Sequence, residues 1–232
     1  MKKQNESIGR GYFRFLRNLK AHNNREWFNA NKSVYEQEVL RPMVALVAAL
    51  EEPIKQICPL IQVSAKPMGG SLFRIYRDTR FSKDKSPYKT YMAARFHAAR
   101  GGKMYPLGFY LWLGVTGVYL AGGSWQPEPP ELHRIRDRIA AEPAKWKATV
   151  AVRSFRRSFP DGMGGEQLKR VPAPYDASHP CADDLRRKDF FAVVTLPASV
   201  AIGAGAPGRI ARVYRQMTPL VRFLGTALKL EW

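Results

Sequence analysis

The sequence predicts an α+β fold in a single domain, a mainly antiparallel sheet packed by N-terminal and C-terminal helices. Three observations carry that expectation: helical apolar periodicity over about residues 10–58, alternating strands between glycine turns over about 71–122, and renewed helical periodicity with one further strand over about 127–230. At 232 residues and 45% hydrophobic content the chain can bury one sizeable core, with a second domain allowed but not required.

Tyr12–Leu19 reads as a helix because Tyr12, Phe13, Phe15, Leu16 and Leu19 recur at three- and four-residue steps, while Arg14, Arg17 and Lys20 fall largely opposite. Ala21-His22-Asn23-Asn24 ends it. Asn23 or Asn24 can cap the next helix, with Glu26 in its first turn and Trp27 and Phe28 as its apolar anchor. An amphipathic pattern from Lys32 to about Cys58 follows, and Pro42 and Pro53 should kink or split it, since each removes a helical hydrogen bond.

Pro59–Gly70 is expected to be a loop ending in Gly69-Gly70. The next stretch, Ser71–Lys89, is the densest in charge, with six cations and two anions in nineteen residues. Helical spacing would align Arg74, Arg77, Asp78 and Phe81; strand spacing would align Arg74, Tyr76, Asp78 and Arg80. The β preference of Phe73, Ile75 and Tyr76, and the glycine pair before them, favour a strand with Phe73 and Ile75 toward the core and Arg74, Tyr76 and Asp78 toward a cleft. Thr79–Pro87 should then be a loop.

Thr90–His97 alternates again, placing Met92, Ala94 and Phe96 opposite Tyr91, Ala93, Arg95 and His97. Arg100-Gly101-Gly102-Lys103 turns the chain into Leu107–Leu113, and Gly114-Val115-Thr116-Gly117 turns it again into Val118–Ala121. Gly122-Gly123-Ser124-Trp125 should follow the last strand of this run. Helices are expected from Pro127–Pro130 onward, carrying Leu132, Ile135 and Ile139, and over Pro143–Val152, burying Trp146 and Val150. Phe155–Ser178 reads as irregular. A short helix over Ala182–Lys188, a strand at Phe190–Leu196 and a long helix from about Pro207 to Leu228 complete the chain.

Charge is the global outlier: 38 Lys and Arg against 19 Asp and Glu leave +19, which attracts polyanions at low salt whatever their identity. An Arg- and Ala-rich composition from a GC-rich genome would leave the same excess. No run approaches the roughly eighteen apolar residues of a membrane span, and the lysines of the N-terminus lead into no apolar signal segment. A cytoplasmic protein with no membrane association is therefore expected. Cys58 and Cys181 lie far apart and read as free thiols; His22, His97, His133 and His179 form no metal-spaced pair, so no metal and no cofactor is expected.

R-x-x-R-D-x-R-F over Arg74–Phe81 and D-K-x-x-Y over Asp84–Tyr88 resemble the signature of a bacterial family of about this length, domain of unknown function 2461. Asn23-Asn24-Arg25-Glu26-Trp27-Phe28, Gly-Gly-Ser-Trp at Trp125 with its following prolines, Leu168-Lys169-Arg170-Val171-Pro172, and His179-Pro180 through Lys188-Asp189-Phe190 are similar to further blocks of that family. The resemblance implies that these blocks meet in one fold. It implies no chemistry.

The residues themselves support three functional readings. Guanidinium groups suit bidentate contact with phosphate or carboxylate, so the first expectation is that Arg74, Arg77 and Arg80, with Lys83, Lys85 and Lys89, bind a phosphate-bearing ligand, with nucleic acid foremost and Tyr76, Tyr88 and Trp125 available for stacking. No named DNA- or RNA-binding motif accompanies them. The second is an enzyme acting on a phosphorylated or carboxylated substrate, with Asp78 as base and Tyr88 as acid or nucleophile; no Walker loop, G-x-S-x-G or H-E-x-x-H motif supports it. The third is an interaction module docking an acidic protein. Beside all three stands a purely structural role, in which Asp78 orients Arg77 by an ion pair and the cluster fixes a loop.

Overall fold

Helix α1 (Arg10–Ala21) buries Tyr12, Phe13, Phe15, Leu16 and Leu19, the stripe expected from their spacing. In this computed structural model, which describes residues 7–230 other than residue 152, α2 (Arg25–Ala30) follows at once, capped by the Asn24 carboxamide accepting the Trp27 N–H at 2.9 Å. The N-terminal residues 1–6 and the helix end expected at Val152 lie outside the described residues. A continuous helical run then comprises α3 (Lys32–Tyr35), a π turn (Glu36–Leu40) and α4 (Arg41–Ile57). The run is widened at Pro42 rather than split: a turn with i→i+5 bonding, in which the Arg41 N–H donates to the Glu36 carbonyl, makes room just ahead of the ring, which cannot itself donate. Pro53 sits inside α4 near its end without interrupting it.

The sheet has six strands, β1 (Ile61–Gln62), β2 (Tyr91–Arg100), β3 (Lys103–Gly114), β4 (Gly117–Ser124), β5 (Met163–Gly164) and β6 (Phe190–Leu196), in the order β1-β2-β3-β4-β6-β5 with every pairing antiparallel. Gly101 and Gly102, at φ 58° and 79°, form the two-residue turn between β2 and β3 that needs left-handed backbone at both positions. β4 is longer than its sequence suggests. Gly122, Gly123 and Ser124, expected to follow the strand, pair with both β3 and β6; at Gly123 (φ 142°) a Cβ would sit 2.1 Å from the Phe190 carbonyl oxygen, so glycine here permits close strand approach and does not end the strand.

Helices α5 (Pro129–Ala141), α6 (Pro143–Val150), α7 (Arg153–Ser158) and α8 (Ala182–Leu185) lead to the long α9 (Ala206–Ala227). β1, β5 and α7 lie in segments that read as loops; each is too short for periodicity to register. α9 packs on β3 and β4, and α4 packs on α9. Tyr214 of α9 stacks on Phe109 with centroids 4.4 Å apart and donates its hydroxyl to the Tyr110 carbonyl at 3.0 Å. Met92, Ala94, Phe96, Phe109, Leu111, Leu113, Val118 and Leu120 point into this buried layer, as their alternation predicts. Tyr91, Arg95, His97, Tyr110, Trp112 and Tyr119 take the opposite face and stay half-exposed. The helical layer covers one side of these strands.

The predicted strand at Ser71 is corrected by the structure. Ser71–Lys89 holds only two isolated bridges, Leu72 with Ala94 and Tyr76 with Tyr88. Leu72 and Ile75 are buried, whereas Phe73, expected in the core, is 41% exposed. Alternation fails because the chain changes partner. It first runs along the free edge of β2, with Phe73 N–H donating to Ala93 and Arg95 N–H to Ser71, both at 2.9 Å; it then leaves to pair with its own continuation, Arg77 N–H to Pro87 at 2.9 Å and Lys89 N–H to Ile75 at 2.8 Å.

Candidate anion-binding site

The loop between Tyr76 and Tyr88 is held by its own charges. Arg80 grips Asp78 through Nε at 3.0 Å and Nη2 at 2.7 Å, and Asp78 also accepts the Arg80 N–H. Those hydrogen bonds hold the Asp78 carboxyl down at about 2, so it is ionised throughout the physiological range. Arg77 pairs instead with Asp84, which further accepts the Ser86 N–H at 2.9 Å and the Ser86 hydroxyl at 2.6 Å and lies well below the usual carboxylate range for those reasons. The expected Arg77–Asp78 pair is thus replaced by two crossed pairs. Neighbouring side chains on an extended backbone point apart, whereas Asp78 can reach two residues ahead and Arg77 can reach across the loop. Lys85 closes the loop by donating to the Thr79 carbonyl at 3.0 Å.

An aromatic cluster ties this loop to the N-terminal helices. Tyr88 is buried and stacks on Phe28 with centroids 4.0 Å apart, and Tyr76 leans on both rings at 5.5 and 6.2 Å. The Asn23 carboxamide donates to the Tyr88 carbonyl at 2.9 Å and accepts the Tyr88 N–H at 3.1 Å. So the Asn-Asn-Arg-Glu-Trp-Phe block and the Asp-Lys-Ser-Pro-Tyr block meet directly: Asn23 clamps the backbone of Tyr88, and Phe28 clamps its ring. Burial pushes the Tyr88 phenol up.

Beside the loop, the uncovered sheet face forms a cleft of about 360 Å³. Its lining includes Ala93, Gly108, Tyr110 and Ala121 of the central strands, with Phe73, Lys89, Pro106, Trp125 and Phe191. Among the described residues, those lining it include Lys89, Arg95 and His97 and no Asp or Glu. The Lys89 ammonium donates to the Arg74 carbonyl at 2.8 Å and lies 5.7 Å from the Phe73 ring centroid, and the Arg95 guanidinium lies over Trp125 at 5.0 Å. Among the described residues, neither cation, nor Arg74, is in an ion pair. Lys89 is pulled below its ordinary value first by desolvation and then by the charge of Arg74, Arg95 by desolvation alone. His97 is lowered by desolvation and by Arg95, which leaves it neutral at neutral pH.

Trp125 is set in place from behind. Its N–H donates to the Pro106 carbonyl at 3.0 Å, and the buried Asp189 carboxylate accepts the N–H of Gln126 at 2.7 Å and that of Glu166 at 3.0 Å. Asp189 therefore joins the Gly-Gly-Ser-Trp segment to the chain preceding Leu168, which itself pairs with the residues around Arg187.

A second cleft, of about 580 Å³, adjoins the first and shares Lys89 and Tyr91 with it; Lys20, Asn23, Arg77, Asp78, Asp84 and Tyr88 are among its lining. Of the residues singled out in sequence, Lys89 and Trp125 thus meet in the first cleft and Arg77, Asp78, Tyr88 and Lys89 in the second. Arg74, Tyr76, Arg80, Lys83 and Lys85 line neither. Sequence reasoning missed Arg95, Tyr110, Tyr119 and Phe191, which lie outside the charged stretch. For Arg95 the signal was the polar-facing phase of the β2 alternation, where Tyr91, Arg95 and His97 fall on one side; Tyr110, Tyr119 and Phe191 sit on β3, β4 and β6.

Among the described residues no three His, Cys, Asp or Glu side chains are grouped to hold a metal ion, and no helix is long and apolar enough to cross a membrane. No curated protein and no solved structure matches the chain. Residues 11–223 match the model of the family described as "Conserved hypothetical protein (DUF2461)", and with most of its length so matched the chain belongs to that family.

Proposed function

We propose that the protein binds a phosphate-bearing anionic ligand where the charged loop meets the open sheet face, with Lys89 and Arg95 as its direct cationic contacts and Arg74, outside the cleft, adding to the positive charge at Lys89. The observation that carries this reading is the local imbalance: Lys89 is partly desolvated beside Arg74, Arg95 is partly desolvated against Trp125, and no carboxylate lines their cleft. A cation removed from water without a partner costs free energy that an incoming anion restores. Arg77, Arg80 and Lys85 serve this site by fixing the loop, and Lys83, exposed at its tip, adds long-range attraction within the +19 field. Asp78, bound by Arg80 and strongly acidic, is a holder of that loop in this reading rather than a base.

Calorimetric titration with inorganic triphosphate tests the reading. Wild type should give saturable binding that Lys89→Gln weakens roughly ten-fold, the scale of one charge-assisted hydrogen bond. Absence of binding, or equal affinity in a Lys89→Gln protein that melts like wild type, would overturn it.

A further inference from the structure

Resting on the phosphate reading above, we infer that the sheet-face cleft takes single-stranded nucleic acid, with bases lying on its aromatic side chains and phosphates on Lys89 and Arg95. The solvent face of an antiparallel sheet is ordinarily polar. Here its positions include Tyr91, Tyr110, Trp112 and Tyr119, while the core is already sealed on the other face by Phe96, Phe109 and their neighbours.

The rings of this face do not use up one another. Phe73 meets Tyr110 at 57° and 6.3 Å, Tyr110 meets Tyr119 at 74° and 6.2 Å, and Tyr91 leans on Trp112 at 37° and 5.3 Å, so none of these faces is closed by parallel stacking. Trp125 is 47% exposed with Arg95 over its ring. Every base offers a face to such a surface, which makes stacking tolerant of sequence.

Length favours a strand over a lone nucleotide. The open-face positions of β2 from Tyr91 to His97 span roughly 20 Å at about 3.4 Å per residue. Lys89 and Tyr91 then lead from this cleft into the second one, where Asp78 and Asp84 are each matched by an arginine. A duplex keeps its bases inside and would meet only the cations. An acidic polypeptide would supply charge without rings.

The test compares fluorescein-labelled oligo(dT) with an abasic deoxyribose-phosphate strand of equal length, by anisotropy on the full chain at one ionic strength. Wild type should bind oligo(dT) roughly ten-fold or more tighter than the abasic strand, on the scale of base–aromatic stacking. Trp125→Leu or Tyr110→Leu should shrink that ratio by weakening oligo(dT) more than the abasic strand; Lys89→Gln should weaken both strands alike. Equal wild-type affinity for the two strands, still dependent on Lys89, overturns the base-stacking inference and leaves the phosphate reading standing. Failure of both strands to bind overturns the two together. Displacement of oligo(dT) by poly-glutamate as readily as by unlabelled oligo(dT) would point to charge alone and overturn it, and equally effective displacement by thymidine monophosphate at the same nucleotide concentration would reassign the cleft to a free nucleotide.

Discussion

Asn23 and Tyr88 are sixty-five positions apart and share two hydrogen bonds, so the side chain of one completes the backbone of the other. Asn23→Leu leaves both Tyr88 backbone groups without that partner in a part-buried setting. It should destabilise the protein by about 1–3 kcal/mol in denaturant melts, with Asn23→Asp, which keeps only the acceptor, falling between. A stability equal to wild type in Asn23→Leu would show that the loop is not held there. At this scale the sequence was partly legible. The arginines and aspartates around residue 78 left open a structural ion-pair role, read as Arg77 with Asp78; two pairs exist there, with different partners. Which arginine meets which aspartate was not legible, because side-chain reach across a loop has no period. Nor could sequence separate the cations that hold the loop from Lys89 and Arg74, which are in no ion pair among the described residues.

At the scale of elements, Asp189 decides where Trp125 stands. Its carboxylate links the segment after β4 to Glu166 and to the start of β6 through two backbone N–H groups. Asp189→Ala should cost about 1–3 kcal/mol, and should shift the fluorescence of Trp125 toward that of a more hydrated indole when read against an Asp189→Ala/Trp125→Phe control. An emission difference that matches wild type would mean that Trp125 is positioned by other contacts. Long periodic elements were read well: α1 and α9 by their apolar stripes, β2 and β3 by strict alternation, the β2–β3 turn by its glycine pair. Elements whose pattern was interrupted were misread. Gly122 and Gly123 were read as lying after the strand because glycine marks strand ends and close backbone approach alike, and only the position of the Phe190 carbonyl distinguishes the two. The stretch from Ser71 to Asp78 was read as one strand, with Thr79–Pro87 a loop, because the change of pairing partner from β2 to its own return leaves no mark in propensity.

Over the whole molecule, the helices cover one side of the sheet and leave the other to rings and cations. The α+β class followed from composition and periodicity; the open face did not, since it depends on which side α4 and α9 choose. Net charge of +19 guarantees attraction for polyanions, and the issue is whether that attraction is diffuse or focused at Lys89 and Arg95. Salt dependence separates the two. The decisive measurement is oligo(dT) affinity by anisotropy across a salt series, for wild type and for Lys89→Gln/Arg95→Gln, with both first shown to melt alike. A focused site predicts a weaker double variant whose log–log salt slope is shallower by about 1.4, or about 0.7 for each lost phosphate contact. Equal affinities with superimposable slopes would contradict it, and would make the charge of this protein a property of its whole surface.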